Sequence, residues 1–257
     1  MELFNLKGKV AIVTGSSRGI GRAIAENLAR CGARVVISSR KPEPCAAVAA
    51  AIRAEGGDAI AIPANISDKA QVELLVAETR AQLGAVDILV CNAATNPYYG
   101  PSTGLSDETF EKVMRNNVLS NLWLCNLVRP DMAAKHDGAI VIISSITGLQ
   151  GSAKIGAYGI SKAADMQLAR NLAVEWGPDN IRINCIAPGV IQTDFAKAIH
   201  EDKRAISMVE NELPLRRIGE PDDISGIAVM LASRAGKYIT GQTIVADGGW
   251  TIGASLA

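Results

Sequence analysis

Short, continuously apolar runs alternate with segments of helical period along this chain, and that alternation limits the folds open to it. Strand-like runs lie at Val10–Thr14, Arg34–Ser38, Ala59–Ile62, Val86–Cys91, Ala139–Ser144, Ile181–Ile186 and Thr243–Ala246. Helical periodicity predicts helices over Ile20–Cys31, Pro44–Glu55, an Asp68-capped stretch to Leu83, a long segment from Asp107 disturbed near Pro130, Tyr158–Trp176, Asp194–Glu212 and Pro221–Ser233. Strands apolar on both sides cannot face water, so helices must cover both faces of a parallel sheet. The expected fold class is therefore α/β: a doubly wound parallel sheet of about seven strands in a single domain over residues 1–257.

Composition agrees with this packing. Apolar residues make up 48% of the 257 residues and aromatics only 4%, which suits close helix-on-sheet contact. Lys plus Arg and Asp plus Glu both number 26, so net charge is zero and neither nucleic acid nor an anionic membrane is an expected partner. A basic, then apolar leader is not evident, nor is an apolar run of ~18 residues, so a cytoplasmic protein is expected. The cysteines are odd in number at 5 and lack CxxC spacing, and with 2 histidines no metal site is expected.

The first strand runs directly into Thr14-Gly15-Ser16-Ser17-Arg18-Gly19-Ile20-Gly21 and then a helix. Glycines there allow a sharp turn and close backbone approach, while the helix amino terminus offers free N–H groups to a phosphate. Such a turn can be an ordinary tight βα connection, but its strand–turn–helix context predicts a dinucleotide site of the Rossmann type, with Gly15, Ser17, Arg18, Gly19, Ile20 and Gly21 as candidate contacts. The second strand ends in Ser38-Ser39-Arg40-Lys41, where NAD-selective folds often carry an acid. With no carboxylate to repel a 2′-phosphate, and with Arg18 and Arg40 to pair with it, NADP(H) is favoured over NAD(H). Ser39, Arg40 and Lys41 are the candidates at that end.

Tyr158 and Lys162 stand at i and i+4, on one face of their helix. A phenol of pKa about 10 is a poor base near neutrality, and an adjacent ammonium lowers that value. A strand that ends at Ser144-Ser145 precedes the loop to Tyr158, so a serine hydroxyl is available to a carbonyl oxygen.

Taken in order, Thr14–Gly21, Asn92-Ala93-Ala94, Asn117, Ser145, Tyr158/Lys162, Pro188-Gly189 and Asp247-Gly248-Gly249 give the chain a resemblance to the short-chain dehydrogenase/reductase family over nearly its whole length. Within that family it resembles the 3-oxoacyl-carrier-protein reductase and NADPH-dependent carbonyl reductase types. The resemblance implies an oxidoreductase in which Ser145 orients a carbonyl, Tyr158 exchanges its proton, Lys162 assists Tyr158 and binds the nicotinamide ribose, and Asn117 holds a relay water. It implies cofactor contacts from Asn65 and Ile66 at the adenine, from Asn92, Ala93 and Ala94 along the cofactor, and from Pro188, Gly189, Val190, Ile191 and Thr193 at the nicotinamide end. It implies a homotetramer acting on a small carbonyl or alcohol, with an apolar stripe at Leu168, Leu172 and Trp176 that suits either an interface or the core.

Two positions depart from the family pattern. Ala94 stands where glycine is usual, which would strain a positive φ, and Asn65 stands where aspartate is usual. Asp194–Leu213, with Phe195, Ala196, Ile199, His200 and Met208, is expected to form a substrate lid, with Tyr98 or Tyr99 adding mixed polarity to the pocket. Two other readings stay open. One is an NAD-dependent dehydrogenase of sugars, polyols or steroid alcohols; the other is a dinucleotide-binding scaffold without catalysis.

Overall fold

The computed structural model describes residues 2–193 and 209–253. Its elements alternate: β1 (Val10–Thr14), α1 (Gly19–Arg30), β2 (Arg34–Ser38), α2 (Pro42–Ala54), β3 (Asp58–Ala61), α3 (Lys69–Leu83), β4 (Ile88–Cys91), α4 (Asp107–Met114), α5 (Ser120–Lys135), β5 (Gly138–Ile143), α6 (Gly156–Trp176), β6 (Ile181–Pro188), α7 (Pro221–Ala232) and β7 (Thr243–Ala246). The strands form one seven-stranded sheet in the order β3-β2-β1-β4-β5-β6-β7, and every pairing is parallel. The expected Rossmann-type doubly wound sheet is thus the observed one.

Strand residues alternate between the two faces, and the apolar clusters follow that alternation. Val10, Ile12, Leu89, Ile140, Ile142 and Ile183 join one cluster with residues of α3, α5 and α6. Ala11, Val13, Ile88, Val90, Val141 and Ile186 join the other with residues of α1, α2 and α7. Leu172 and Trp176 are buried in the first cluster and Leu168 packs against it. The stripe therefore belongs to the core, while Ile160 and Val174 face outward on the same helix.

Strand β1 pairs with β2 on one side and with β4 on the other. The connections from β1 and β4 leave in opposite directions, so a crevice opens at the carboxyl ends of these strands, where doubly wound sheets bind ligands.

The long helix from Asp107 departs from expectation. Its disturbance is not at Pro130, which α5 accommodates, but at a π-helical turn over Arg115–Leu119. Turns of this type widen a helix locally and recur at functional sites. Here the Ser120 hydroxyl bonds the Asn116 carbonyl at 2.7 Å and Asn121 Nδ2 bonds the Asn117 carbonyl at 2.6 Å, so side chains satisfy acceptors that the widened turn leaves. No helix among the described residues is long and apolar enough to cross a membrane.

Candidate active site

The glycine-rich turn closes the carboxyl end of β1. Gly15 and Gly19 hold positive φ of 65° and 54°, in the region that favours glycine. A Cβ on Gly15 would stand 2.7 Å from Asn92 Nδ2, and one on Gly21 would stand 2.5 Å from the Gly15 carbonyl oxygen. The turn is thus pressed against the β4 loop. Thr14 fastens the two: its Oγ1 accepts the Asn92 N–H at 3.1 Å and the Ala93 N–H at 3.2 Å. Asn92 Nδ2 donates to the Thr14 carbonyl at 2.9 Å. Ser16 is wholly buried and ties the turn to β2 through Ser38 N–H, at 2.9 Å. A backbone cradle at a helix amino terminus results, lined by Ser17, Arg18, Gly19 and Ile20.

Ser39, Arg40 and Lys41 follow β2 and lead into α2. Ser39 Oγ lies 3.1 Å from Cys45 Sγ, which turns its hydroxyl inward, whereas Arg40 and Lys41 are exposed at the rim. Asn65 uses its amide for a local turn: Oδ1 accepts from Ser67 N at 3.2 Å and Ser67 Oγ at 3.0 Å. Ile66 lies in that same turn, ahead of α3. Ala94 is not among the non-glycine residues with positive φ, so its methyl carries no backbone strain.

At the far side, Pro188 ends β6, and Gly189 packs so closely that a Cβ would stand 2.8 Å from Asp247 Cα. Val190 and Ile191 are bridged to Gly219. Thr193 reaches the glycine-rich turn, its Cγ2 standing 3.1 Å from the Cβ position of Gly19. Of the expected lid, residues 194–208 lie outside the described residues, and with them Phe195, Ala196, Ile199, His200 and Met208. The Tyr98 hydroxyl donates to the Pro101 carbonyl at 2.8 Å, and Tyr99 projects outward with Lys154 Nζ 5.4 Å from its ring centre.

Ser145, Tyr158 and Lys162 converge between β5 and α6. Ser145 follows β5, and its Oγ accepts from Thr147 N at 3.2 Å and Thr147 Oγ1 at 3.0 Å, which fixes the hydroxyl. It shares a hydrogen bond with the Tyr158 phenol. Lys162 Nζ lies 5.6 Å from the Tyr158 ring centre. That ammonium donates to the Ile143 carbonyl at 2.8 Å and to Asp165 Oδ2 at 3.0 Å. The Asn117 amide is bonded elsewhere than to Lys162: it accepts from Thr95 N at 2.8 Å and donates to the Thr95 carbonyl and to Ser161 Oγ, both at 3.0 Å.

The electrostatics of the group differ from the simple expectation. Burial raises the Tyr158 pKa above its ordinary value; Lys162 and the Ser145 hydrogen bond pull it down without overcoming burial, and Asp165 adds to the rise. Burial alone would lower the Lys162 pKa, but Asp165 and Tyr158 hold it above its usual value. Asp165 is itself raised by burial, against the pull of Lys162 and Asn121.

Sequence reasoning missed Asp165, Asn121, Thr95 and Ser16. Asp165 was discoverable: it stands at i+3 from Lys162, on the side of α6 that buries Ser161, Met166 and Ala169. A carboxylate on a buried helix face calls for a partner. Thr95 carries no such signal, because its two bonds to Asn117 are made by backbone groups in an irregular loop.

A glycine-lined backbone cradle at the switch point of a doubly wound sheet, with a Ser–Tyr–Lys cluster on the same sheet, fits a class of dinucleotide-dependent oxidoreductases. The chain belongs to the short-chain dehydrogenase/reductase family of oxidoreductases: a family profile described as enoyl-(acyl carrier protein) reductase matches residues 15–251. It is 41% identical over 244 residues to rabbit (Oryctolagus cuniculus) dehydrogenase/reductase SDR family member 4, covering 95% of this chain and 94% of that one. A gluconate 5-dehydrogenase from Burkholderia cenocepacia, solved with NADP and tartrate, superposes with a TM-score of 0.94 at 32% identity, over 98% of this chain and 99% of that one. A Beutenbergia cavernae protein solved with bound NADP gives a TM-score of 0.92 at 35% identity, over 97% and 99%.

Proposed function

We propose that this protein transfers a hydride between NADP(H) and a small carbonyl or secondary alcohol, with Ser145, Tyr158 and Lys162 as its catalytic set and Asn117 as the anchor of a proton relay. The observation that carries the reading is the convergence of a hydrogen-bonded Ser145–Tyr158 pair with the Lys162 ammonium beside a glycine cradle.

The cradle fits a dinucleotide. Gly15 and Gly21 leave backbone bare where side chains would collide, and the start of α1 presents its N–H groups there. Arg40, exposed at the end of β2, supplies the guanidinium that a 2′-phosphate needs, and no carboxylate stands at Ser38, Ser39 or Lys41 to repel it. NADP bound in two structural relatives supports this preference. When bound, the cofactor supplies or accepts the hydride.

The chain's own residues handle the oxygen and its proton. Ser145, positioned by Thr147, turns to a bound carbonyl oxygen the one proton it otherwise gives the Tyr158 phenol. Tyr158 donates its proton to that oxygen in reduction and removes it in oxidation. Buried and above its ordinary pKa, the phenol is protonated at neutrality, which suits reduction. Lys162 steadies the phenolate that forms; the Ile143 carbonyl and Asp165 take two of its N–H groups, which leaves a third for the cofactor's sugar. Free cysteines among the described residues favour a reducing cytoplasm. The tetramer that the family resemblance implies is part of this reading, and the outward apolar residues Ile160 and Val174 on α6 are compatible with an interface there.

The deciding experiment is a panel of ketones, 3-oxoacyl thioesters, sugars and alcohols, followed at the nicotinamide absorbance with both cofactors. Turnover with NADP(H) preferred is the expected result; firm NAD(H) preference would overturn the reading of Arg40.

A further inference from the structure

Asp165 is a charge that the chemistry above leaves without a task. It is wholly buried, and so, to 2%, is Lys162. Its Oδ2 accepts from Lys162 Nζ at 3.0 Å, and its Oδ1 accepts from Asn121 Nδ2 at 3.0 Å. The same Nδ2 donates to the Asn117 carbonyl at 2.6 Å. A chain of protein atoms therefore runs from Lys162 through Asp165 and Asn121 to the π-helical turn that carries Asn117.

Stability does not account for this arrangement. Desolvating two charges costs as much as their attraction returns, and a well-packed apolar side chain serves a core at least as well. What the carboxylate does is geometric and electrostatic. An ammonium has three protons. The Ile143 carbonyl and Asp165 hold two of them in fixed directions, so the third is the one left for the site.

We propose that Asp165 is a positioning residue for the Tyr158–Lys162 pair: held by Asn121, it orients the Lys162 ammonium, which the Ile143 carbonyl also anchors beside the phenol, and offsets part of its charge. The titratable groups that face this pair from neighbouring elements are Cys185 on β6, Cys91 on β4 and Cys125 on α5. Contact with Cys125 and burial raise the Cys91 thiol, and burial raises that of Cys185, so both are uncharged. Lys162 and Asp165 are then the charges that act on Tyr158 among the described residues. The proposal rests on Tyr158 and Lys162 being the acid–base pair, but its test needs neither substrate nor cofactor.

The chain has 4 tyrosines, so tyrosinate absorbance after a rapid pH jump, with the Tyr158→Phe trace subtracted, reports Tyr158 alone. Removing the carboxylate leaves the lysine's charge uncompensated and favours the phenolate. Asp165→Asn is expected to move the Tyr158 midpoint down by about one pH unit, the scale of one neighbouring charge. Asp165→Glu, which keeps the charge, is expected to stay close to the parent. Asp165→Leu, with no polar atom to strand, serves if the asparagine variant does not fold by circular dichroism, and it too is expected to lower the midpoint. A midpoint unchanged or raised in a folded Asn or Leu variant overturns the proposal. So does failure of both variants to fold, which would make Asp165 a requirement of the fold. A shift found in a protein that turns over no carbonyl or alcohol would leave Asp165's role standing and remove the proposed function.

Discussion

Asn92 Nδ2 occupies the space that a Cβ on Gly21 would need, while donating to the Thr14 carbonyl at 2.9 Å and the Gly15 carbonyl at 3.2 Å. One amide thus joins the ends of β1 and β4 and sets the depth of the cradle. Gly21→Ala must displace either this amide or the Gly15 backbone, whose carbonyl oxygen would lie 2.5 Å from the new carbon. The expected cost is about 1–3 kcal/mol, seen as a lower Tm. Because the displaced atoms form the cradle, NADPH affinity is expected to fall by at least about tenfold, or 1.4 kcal/mol, in a fluorescence titration. An unaltered affinity would mean that the cofactor does not sit here.

Arg40 offers a test that separates the two nicotinamide cofactors. Arg40→Ala removes an exposed guanidinium and disturbs no described hydrogen bond. NADPH affinity is expected to drop by roughly tenfold, the scale of one charge-assisted contact, with NADH affinity almost unchanged. Equal losses for both would place Arg40 away from the 2′-phosphate.

Much of this architecture was legible before the coordinates. The seven apolar runs became the seven strands because apolar continuity over four to eight residues has few other uses in a chain of this kind. Asp68 capped α3 as expected, its Oδ1 accepting from Ala70 N at 3.0 Å. The Tyr158 and Lys162 pairing was visible because helical spacing is local. The π-helical turn at Arg115–Leu119 was not, since no residue type demands it; it shows only when Ser120 and Asn121 bond the carbonyls four residues earlier. Pro130 is the more visible signal in the sequence, because a proline in a helix interior removes a hydrogen-bond donor. The sign of the Tyr158 shift was likewise hidden. A lysine one turn away is written in the sequence, but the burial of the phenol and the countercharge of Asp165 belong to the packing.

Asp223, beside the Gly219 that bridges to Ile191, gives a pH signature of its own. Arg217 grips both its oxygens, at 2.6 and 2.8 Å, and the Glu220 N–H donates at 2.7 Å. The Arg217 and Glu220 hydrogen bonds lower its pKa to about 2, below the ordinary 3.8. A depressed carboxylate stabilises the fold above its unfolded-state pKa, and that contribution is lost as pH falls through the folded value. Asp223→Asn is therefore expected to lower Tm slightly at pH 6, the effect being small because the pair is solvent-screened. Parent and variant should converge near pH 2, in thermal melts across that range. A difference that persists at low pH would show that the ion pair is not its source.

Lys162 is expected to serve two ends at once, so its replacement should damage both. Lys162→Met removes the ammonium that faces Tyr158 and strands Asp165 in the core. Turnover should fall by ~10²-fold or more and NADPH affinity should fall with it. A loss of turnover alone would confine the lysine to the phenol.

Tyr158→Phe tests the central claim most directly, because it removes one oxygen and keeps the ring that packs beside Lys162. On whichever carbonyl or alcohol the panel identifies, kcat is expected to fall by ~10²–10⁴-fold, the scale of general acid–base help. NADPH affinity, measured on the same preparation by fluorescence titration, is expected to stay near that of the parent. Turnover close to the parent's in a variant that still binds NADPH would contradict Tyr158 as the proton donor and the mechanism built on it.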